Sequence, residues 1–195
     1  DAVDAASATR AIDYKNNVIK NYITINPEQI DLRLGGDNYY VTRKYDGELA
    51  VIFYDKDECI IINRSGRVRT GLPCTDEAAK LLKAAGVKQA IIPAELYVDE
   101  SKDRKRIFDV LKAFADKDQV KDLRLAPFEI LELDNTIFKT SSYGETHAKL
   151  VEIFGDGICQ PVRAQKATSR REIQDIYKKW VDEEGAEGLV VRTES

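Results

Sequence analysis

Lys44 and Asp46 stand in the stretch Arg43-Lys44-Tyr45-Asp46-Gly47-Glu48, which gives way at once to the apolar run Leu49–Tyr54. A lysine amine is a good nucleophile once it is neutral, and burial or neighbouring cations favour that form. Asp46 can orient such an amine or hold water on a metal, and Gly47 lets the backbone approach a ligand closely. A Lys-x-Asp-Gly on the lip of a strand is therefore a candidate covalent-catalysis site, although the same residues also meet in ordinary surface turns. Four further stretches place a charged or aromatic residue at the rim of an apolar run. They are Arg64 in Asn63–Gly66, Glu95 in Pro93–Tyr97, Phe128 in Ala126–Leu131 and Glu187 in Gly185–Arg192.

The elements that must carry these residues follow from pattern. Apolar positions Ile12, Val18, Ile19 and Tyr22 predict a helix from Ala8, and Pro27 with Gly35-Gly36-Asp37-Asn38 breaks the chain. Tyr39–Thr42 predicts a strand leading into Lys44. Leu49–Tyr54 and Cys59–Asn63 predict a hairpin turning through Asp55–Glu58, buried on both faces. Thr75 is a good N-cap for a helix stopped by Gly86. Gln89–Val98 and Leu123–Leu133 read as strands, Asp103–Ala115 and Tyr143–Phe154 as helices. Ile158–Ala167, interrupted by Pro161, suits an edge strand. Ser169–Glu184 predicts an amphipathic helix with Ile173, Ile176, Tyr177, Trp180 and Val181 inward, and Leu189–Arg192 a last strand. Mixed elements with hairpins and no βαβ regularity predict one α+β domain with largely antiparallel sheets, two-lobed around a cleft.

Thirty Lys and Arg against 34 Asp and Glu leave a net charge of -4. That excludes a strongly basic nucleic-acid module while leaving cations enough for a local basic face. Cys59, Cys74 and Cys159 are odd in number and lack Cys-x-x-Cys pairing, and Cys59 and Cys159 read as core residues in a reducing compartment. No apolar run reaches membrane-spanning length, and the N-terminus lacks a signal-peptide pattern. His147 reads as a surface residue and Lys102–Arg106 as a solvated helix start.

KYDG, NRSG, AELY, FEIL and EGLVVR, in this order from about Tyr39 onward, resemble nucleotidyltransferase motifs I, Ia, III, IIIa and IV. These belong to the superfamily of ATP-dependent polynucleotide ligases and mRNA-capping enzymes. Each motif is weak alone; five in order are specific. The resemblance implies an ATP-grasp-like nucleotidyltransferase core, with antiparallel sheets around a nucleotide cleft. It implies Lys44 as the nucleophile that takes AMP from ATP, with Asp46 and Glu187 in the catalytic set and Mg²⁺ at Glu187. Thr42, Arg43, Arg64, Glu95 and Phe128 fall at nucleotide-binding positions: Arg64 to sugar and 5′-phosphate, Glu95 to the ribose, Phe128 stacked on adenine.

Two departures qualify it. The family's motif I usually has an arginine two residues after its glycine, where this chain has Leu49. The lysine pair of motif V, and the OB-fold domain that usually follows, have no counterpart before Ser195. The expectation is an adenylation domain over residues 1–195, lacking motif V and the OB-fold partner, from an intracellular, non-membrane enzyme acting on nicked DNA ends, with a role in DNA repair. RNA ends are the same-class alternative. Guanylyl transfer is disfavoured, and a degenerate non-catalytic binding module is the rival from another class.

Overall fold

A computed structural model describes residues 23–25, 38–98 and 120–193. The helices expected from Ala8 and over Asp103–Ala115, and the basic run Lys102–Arg106, lie outside the described residues. Two antiparallel sheets face each other across a cleft. The larger has seven strands: β3 (Glu48–Asp55), β4 (Glu58–Ile62), β5 (Val68–Arg69), β6 (Gln89–Val98), β7 (Leu123–Pro127), β8 (Glu132–Leu133) and β9 (Thr136–Ile137). The smaller has four, in the order β1 (Ile23–Ile25), β11 (Gly188–Thr193), β2 (Tyr39–Lys44) and β10 (Ala164–Ala167). All pairings among the described strands are antiparallel, as expected. Among the described residues no helix is long and apolar enough to cross a membrane.

Period-2 alternation gives each sheet a core face and a cleft face. On the larger sheet Ala50, Ile52, Tyr54, Ala94 and Leu96 pack with helices α1 (Pro73–Ala84) and α2 (Tyr143–Phe154). Leu49, Val51, Ile62 and Ile91 form a separate cluster on the other face, with Phe128 against it. On the smaller sheet Tyr39, Val41, Leu189 and Val191 pack with α3 (Arg170–Tyr177), which continues as a π-helix over Lys178–Glu183. All three cysteines are buried in the larger core. Burial pushes the thiols of Cys59 and Cys74 up to about 12, so both stay protonated and inert.

The β3–β4 hairpin turns on Lys56 and Asp57, both left-handed (φ 50 and 66°), the geometry whose twist matches paired strands. Three expected elements differ in detail. Thr75 is not the N-cap of α1: the helix begins at Pro73, and the Thr75 hydroxyl accepts from the Leu72 N–H at 2.9 Å from inside the first turn. Proline at the first helical position explains the earlier start. The strand expected over Ile158–Ala167 is regular only at β10, on the sheet edge. Its first half instead bridges the sheets, with Leu125 N–H donating to Ile158 O, Val162 N–H to Pro127 O and Arg43 N–H to Arg163 O.

The third difference shapes the cleft. The strand expected over Leu123–Leu133 is split, because β6 pairs Ala94 with Pro127 but Ile91 with Glu132. Three steps along β6 span five along its neighbour, so two extra residues bulge out. Pro93 supplies the reason. Phe128 N–H donates to Pro93 O at 3.0 Å, but Pro93 has no N–H to return the bond. The ladder fails there, and residues 128–131 leave the strand path.

Candidate active site

β2 carries Lys44 to the cleft. Lys44 is its last residue and pairs in register with Gly188 of β11, which places Glu187 beside it; the Lys44 Nζ to Glu187 Oε1 distance is 3.5 Å. Both side chains are about one-third exposed, so the pair faces open cleft. Thr42 and Lys44 share a face with Val190 and Arg192, by alternation along β2 and β11 and their register. Thr42 is buried and its hydroxyl donates to Val190 O at 3.4 Å. It shapes the wall more than it offers a free donor.

The opposite wall comes from the larger sheet. Glu95 on β6 pairs across strands with Leu49 of β3. The turn between β2 and β3 folds down onto β6 so closely that a Cβ on Gly47 would overlap Leu96 O. Only glycine fits there, and the approach lets the Gly47 N–H donate to the Glu95 carboxylate. Burial, and then the nearby negative charge of Glu187, nevertheless push Glu95 up to about 8, against the opposing pull of Gly47 N–H, Lys44 and Arg64. Glu95 therefore holds a proton at neutral pH and can donate a hydrogen bond as well as accept one.

Arg64 enters from the turn after β4. Asn63 Oδ1 accepts from Ser65 N–H at 3.0 Å and Arg67 N–H at 2.9 Å, which closes that turn. Thr42, Arg43, Lys44, Asp46, Arg64, Glu95, Phe128 and Glu187 all line one cavity of about 430 Å³. Every residue singled out in the sequence for chemistry or nucleotide binding is thus brought together. That volume lies in the range of small-ligand pockets.

Tyr45, Val162 and Val190 also line the cavity and were not singled out. Val190 lies two residues from Arg192, which also lines the cavity, and alternation along the strand puts both on the cleft face. Tyr45 stacks on Tyr97 at 4.6 Å between ring centroids, with the Arg43 guanidinium 5.8 Å from its ring. Val162 had no signal, since it belongs to the irregular bridge. His147, expected at the surface, is half-buried, with Nε2 2.7 Å from Val162 O. That contact fixes the bridge on the cleft wall.

A hard carboxylate oxygen at Glu187 suits a magnesium-type ion, which would offset the negative charge that helps to push Glu95 up. Among the described residues no group of three or more His, Cys, Asp or Glu forms a metal cage. An ion here would take one or two carboxylates and complete its shell with phosphate and water.

The family model for the ATP dependent DNA ligase domain matches residues 20–195. A DNA ligase of Thermococcus onnurineus (strain NA1) is 29% identical over 158 residues, covering 76% of this chain and 28% of that protein. The structure of a mycobacterial DNA ligase D complexed with ATP and MES shares the fold at a TM-score of 0.57 and 17% identity, over 81% of this chain and 49% of that one. An archaeal ATP-dependent RNA ligase does so at a TM-score of 0.53 and 18% identity, over 86% of this chain and 42% of that one. The chain thus spans about a quarter of the curated relative and under half of either structure.

Proposed function

The chain belongs to the ATP-dependent DNA ligase domain family, and from that premise we propose that it is the adenylation module of a polynucleotide ligase, with Lys44 as the residue that becomes adenylated. The observation that carries this is the meeting of Lys44, Glu187, Glu95, Arg64 and Phe128 on one nucleotide-sized cavity.

The Lys44 Nζ lone pair attacks the α-phosphorus of ATP. A P–N bond forms, the bond from the α-phosphorus to the bridging oxygen breaks, and pyrophosphate leaves with that electron pair. The ammonium must first give up a proton, and Glu187, 3.5 Å away, is placed to receive it directly or through water. Phosphoryl transfer depends chiefly on positioning and charge neutralisation. Gly47 anchors the loop that aims Lys44, Arg64 brings positive charge to the cleft mouth, and protonated Glu95 presents both donor and acceptor to sugar hydroxyls. Phe128 offers a ring to the adenine, an interaction worth about 1–3 kcal/mol per base. A magnesium ion held at Glu187 would supply charge neutralisation for the departing pyrophosphate.

In the second step the bound AMP passes to a 5′-phosphate end. Nicked DNA is the favoured substrate on the family match. RNA ends are the second reading, favoured by Leu49 in place of the motif I arginine and by the fold shared with an RNA ligase. Sealing inside the cell would draw on an OB-fold domain to grip the ends, as the resemblance implies.

Incubation with α-labelled ATP and magnesium, followed by a denaturing gel, tests the reading. Wild-type protein is expected to carry a covalent label, and Lys44→Ala and Lys44→Arg to carry none, since a guanidinium stays protonated. A label of undiminished intensity in either variant would refute Lys44 as the nucleophile.

A further inference from the structure

Where β6 and its neighbour lose register, the Phe128 carbonyl loses its ladder partner, because Pro93 opposite has no N–H. The Tyr143 hydroxyl at the start of α2 takes that place, donating to Phe128 O at 2.8 Å. The ring of the same tyrosine then carries a second load. The Arg192 guanidinium lies 4.1 Å from the Tyr143 ring centroid and 5.8 Å from that of Phe128, and its Nη1 is 3.5 Å from Glu129 Oε2. The Arg192 side chain is only 9% exposed, yet it lines the cleft. Arg192 comes from β11 of the smaller sheet, Phe128 and Glu129 from the bulge of the larger one, and Tyr143 from the helix that also meets Tyr40 of β2 edge-on at 5.8 Å.

We propose that Arg192 and Tyr143 are positioning residues for the nucleobase: together they clamp the bulged Phe128 at a fixed height in the cleft and tie that height to the spacing of the two sheets. The clamp acts on the purine end alone. Lys44 and Glu187 sit at the other end of the β2–β11 pair, where Gly188 faces Lys44, while Arg192 faces Tyr40 four residues further along. The inference rests on the proposed stacking of adenine on Phe128.

The discriminating probes are ATP and inorganic tripolyphosphate, which presents the phosphates without a base. Calorimetric affinities for both would be measured on Tyr143→Phe, Arg192→Met and Phe128→Ala, and on each of the first two combined with Phe128→Ala. Tyr143→Phe keeps the ring under Arg192 and removes only the hydroxyl, so it serves even if Arg192→Met fails to fold. Each clamp variant is expected to weaken ATP binding by roughly tenfold, to leave tripolyphosphate binding unchanged, and to add nothing further once Phe128 is alanine. Equal losses for ATP and tripolyphosphate in Arg192→Met would overturn the proposal and make Arg192 a direct phosphate ligand, and full additivity with Phe128→Ala would overturn it by showing that the residues act independently. Unchanged ATP affinity in folded Tyr143→Phe would overturn it as well. If folded Phe128→Ala itself binds ATP as the wild type does, the stacking reading fails first and the clamp with it.

Discussion

Gly47→Ala is expected to destabilise the protein and to misplace Lys44, the proposed nucleophile, although the same substitution elsewhere often stabilises. A Cβ at Gly47 would overlap Leu96 O and stand 2.9 Å from Leu96 C and 3.1 Å from Tyr97 Cβ. Those atoms are backbone or Cβ of β6, the strand that pairs with β3, β7 and β8, so none can swing aside. The turn must lift instead, opening the end of the β3–β6 ladder at Glu48↔Leu96 and Leu49↔Glu95 and drawing Gly47 N–H away from Glu95. Overpacking of this kind costs about 1–3 kcal/mol, and the lost hydrogen bond about 1 kcal/mol more. Reduced freedom of the unfolded chain returns about 0.4–1 kcal/mol. The net loss is about 2 kcal/mol, or about 4–8 °C in melting temperature for a chain of this size. Lys44 is three residues from the lifted turn, and a displacement of about 1 Å at a reacting atom can cost about 100-fold in rate. Calorimetric melting and the rate of covalent labelling measure the two effects. Gly157→Ala is the control: nothing lies within 4 Å of its Cβ, and its melting temperature should hold or rise. A Gly47→Ala protein that melts and labels like wild type would falsify the close-approach account of this turn.

Glu95→Gln tests the buried carboxyl by pH. A carboxyl whose value rises from 4.5 to about 8 on folding binds an extra proton in the folded state, so wild-type stability should fall between those pH values, by at most about 1.4 kcal/mol per pH unit, while Glu95→Gln stays flatter. Parallel melting-versus-pH curves for the two proteins would count against the burial argument. Glu187→Ala should cut labelling by about 100-fold or more across a magnesium titration while leaving metal-free ATP affinity nearly intact, and a wild-type rate at saturating magnesium would remove Glu187 from the chemistry. Leu49→Arg would set a guanidinium across the ladder from Glu95 and should bring the fall in stability to lower pH, towards the ordinary carboxylate range; an unmoved curve would mean that the new side chain turns away.

The parts legible in the sequence were those governed by local pattern. Gln89–Val98 and Tyr143–Phe154 form over the expected bounds, because a near-continuous apolar run in the first, and a Ser142 cap with a Gly155 stop in the second, leave few alternatives. Less legible were features set by distant partners. Phe128 was expected within a continuous strand, although Pro127 just before it is a strand breaker. The rest of the break is written 34 to 35 residues earlier, in Pro93 and the bond it cannot donate, and a single-strand pattern contains no trace of that pairing. Tyr143 was read only as part of a helix, and the carbonyl that its hydroxyl receives becomes visible only with the register known.

Leu49 is where the two kinds of information meet. As a sequence fact it is a missing arginine, which weakens the family resemblance at one position. In the fold it is a buried residue of the apolar cluster with Val51, Ile62 and Ile91, and the cross-strand neighbour of Glu95. A cation at position 49 would stabilise the charged form of that acid, whereas leucine deepens its desolvation. The departure at Leu49 and the raised Glu95 thus belong to one physical arrangement. The cleft wall carries, in place of a fixed positive charge, a carboxyl that keeps its proton near neutral pH, so the proposed contact of Glu95 with the sugar should depend on pH.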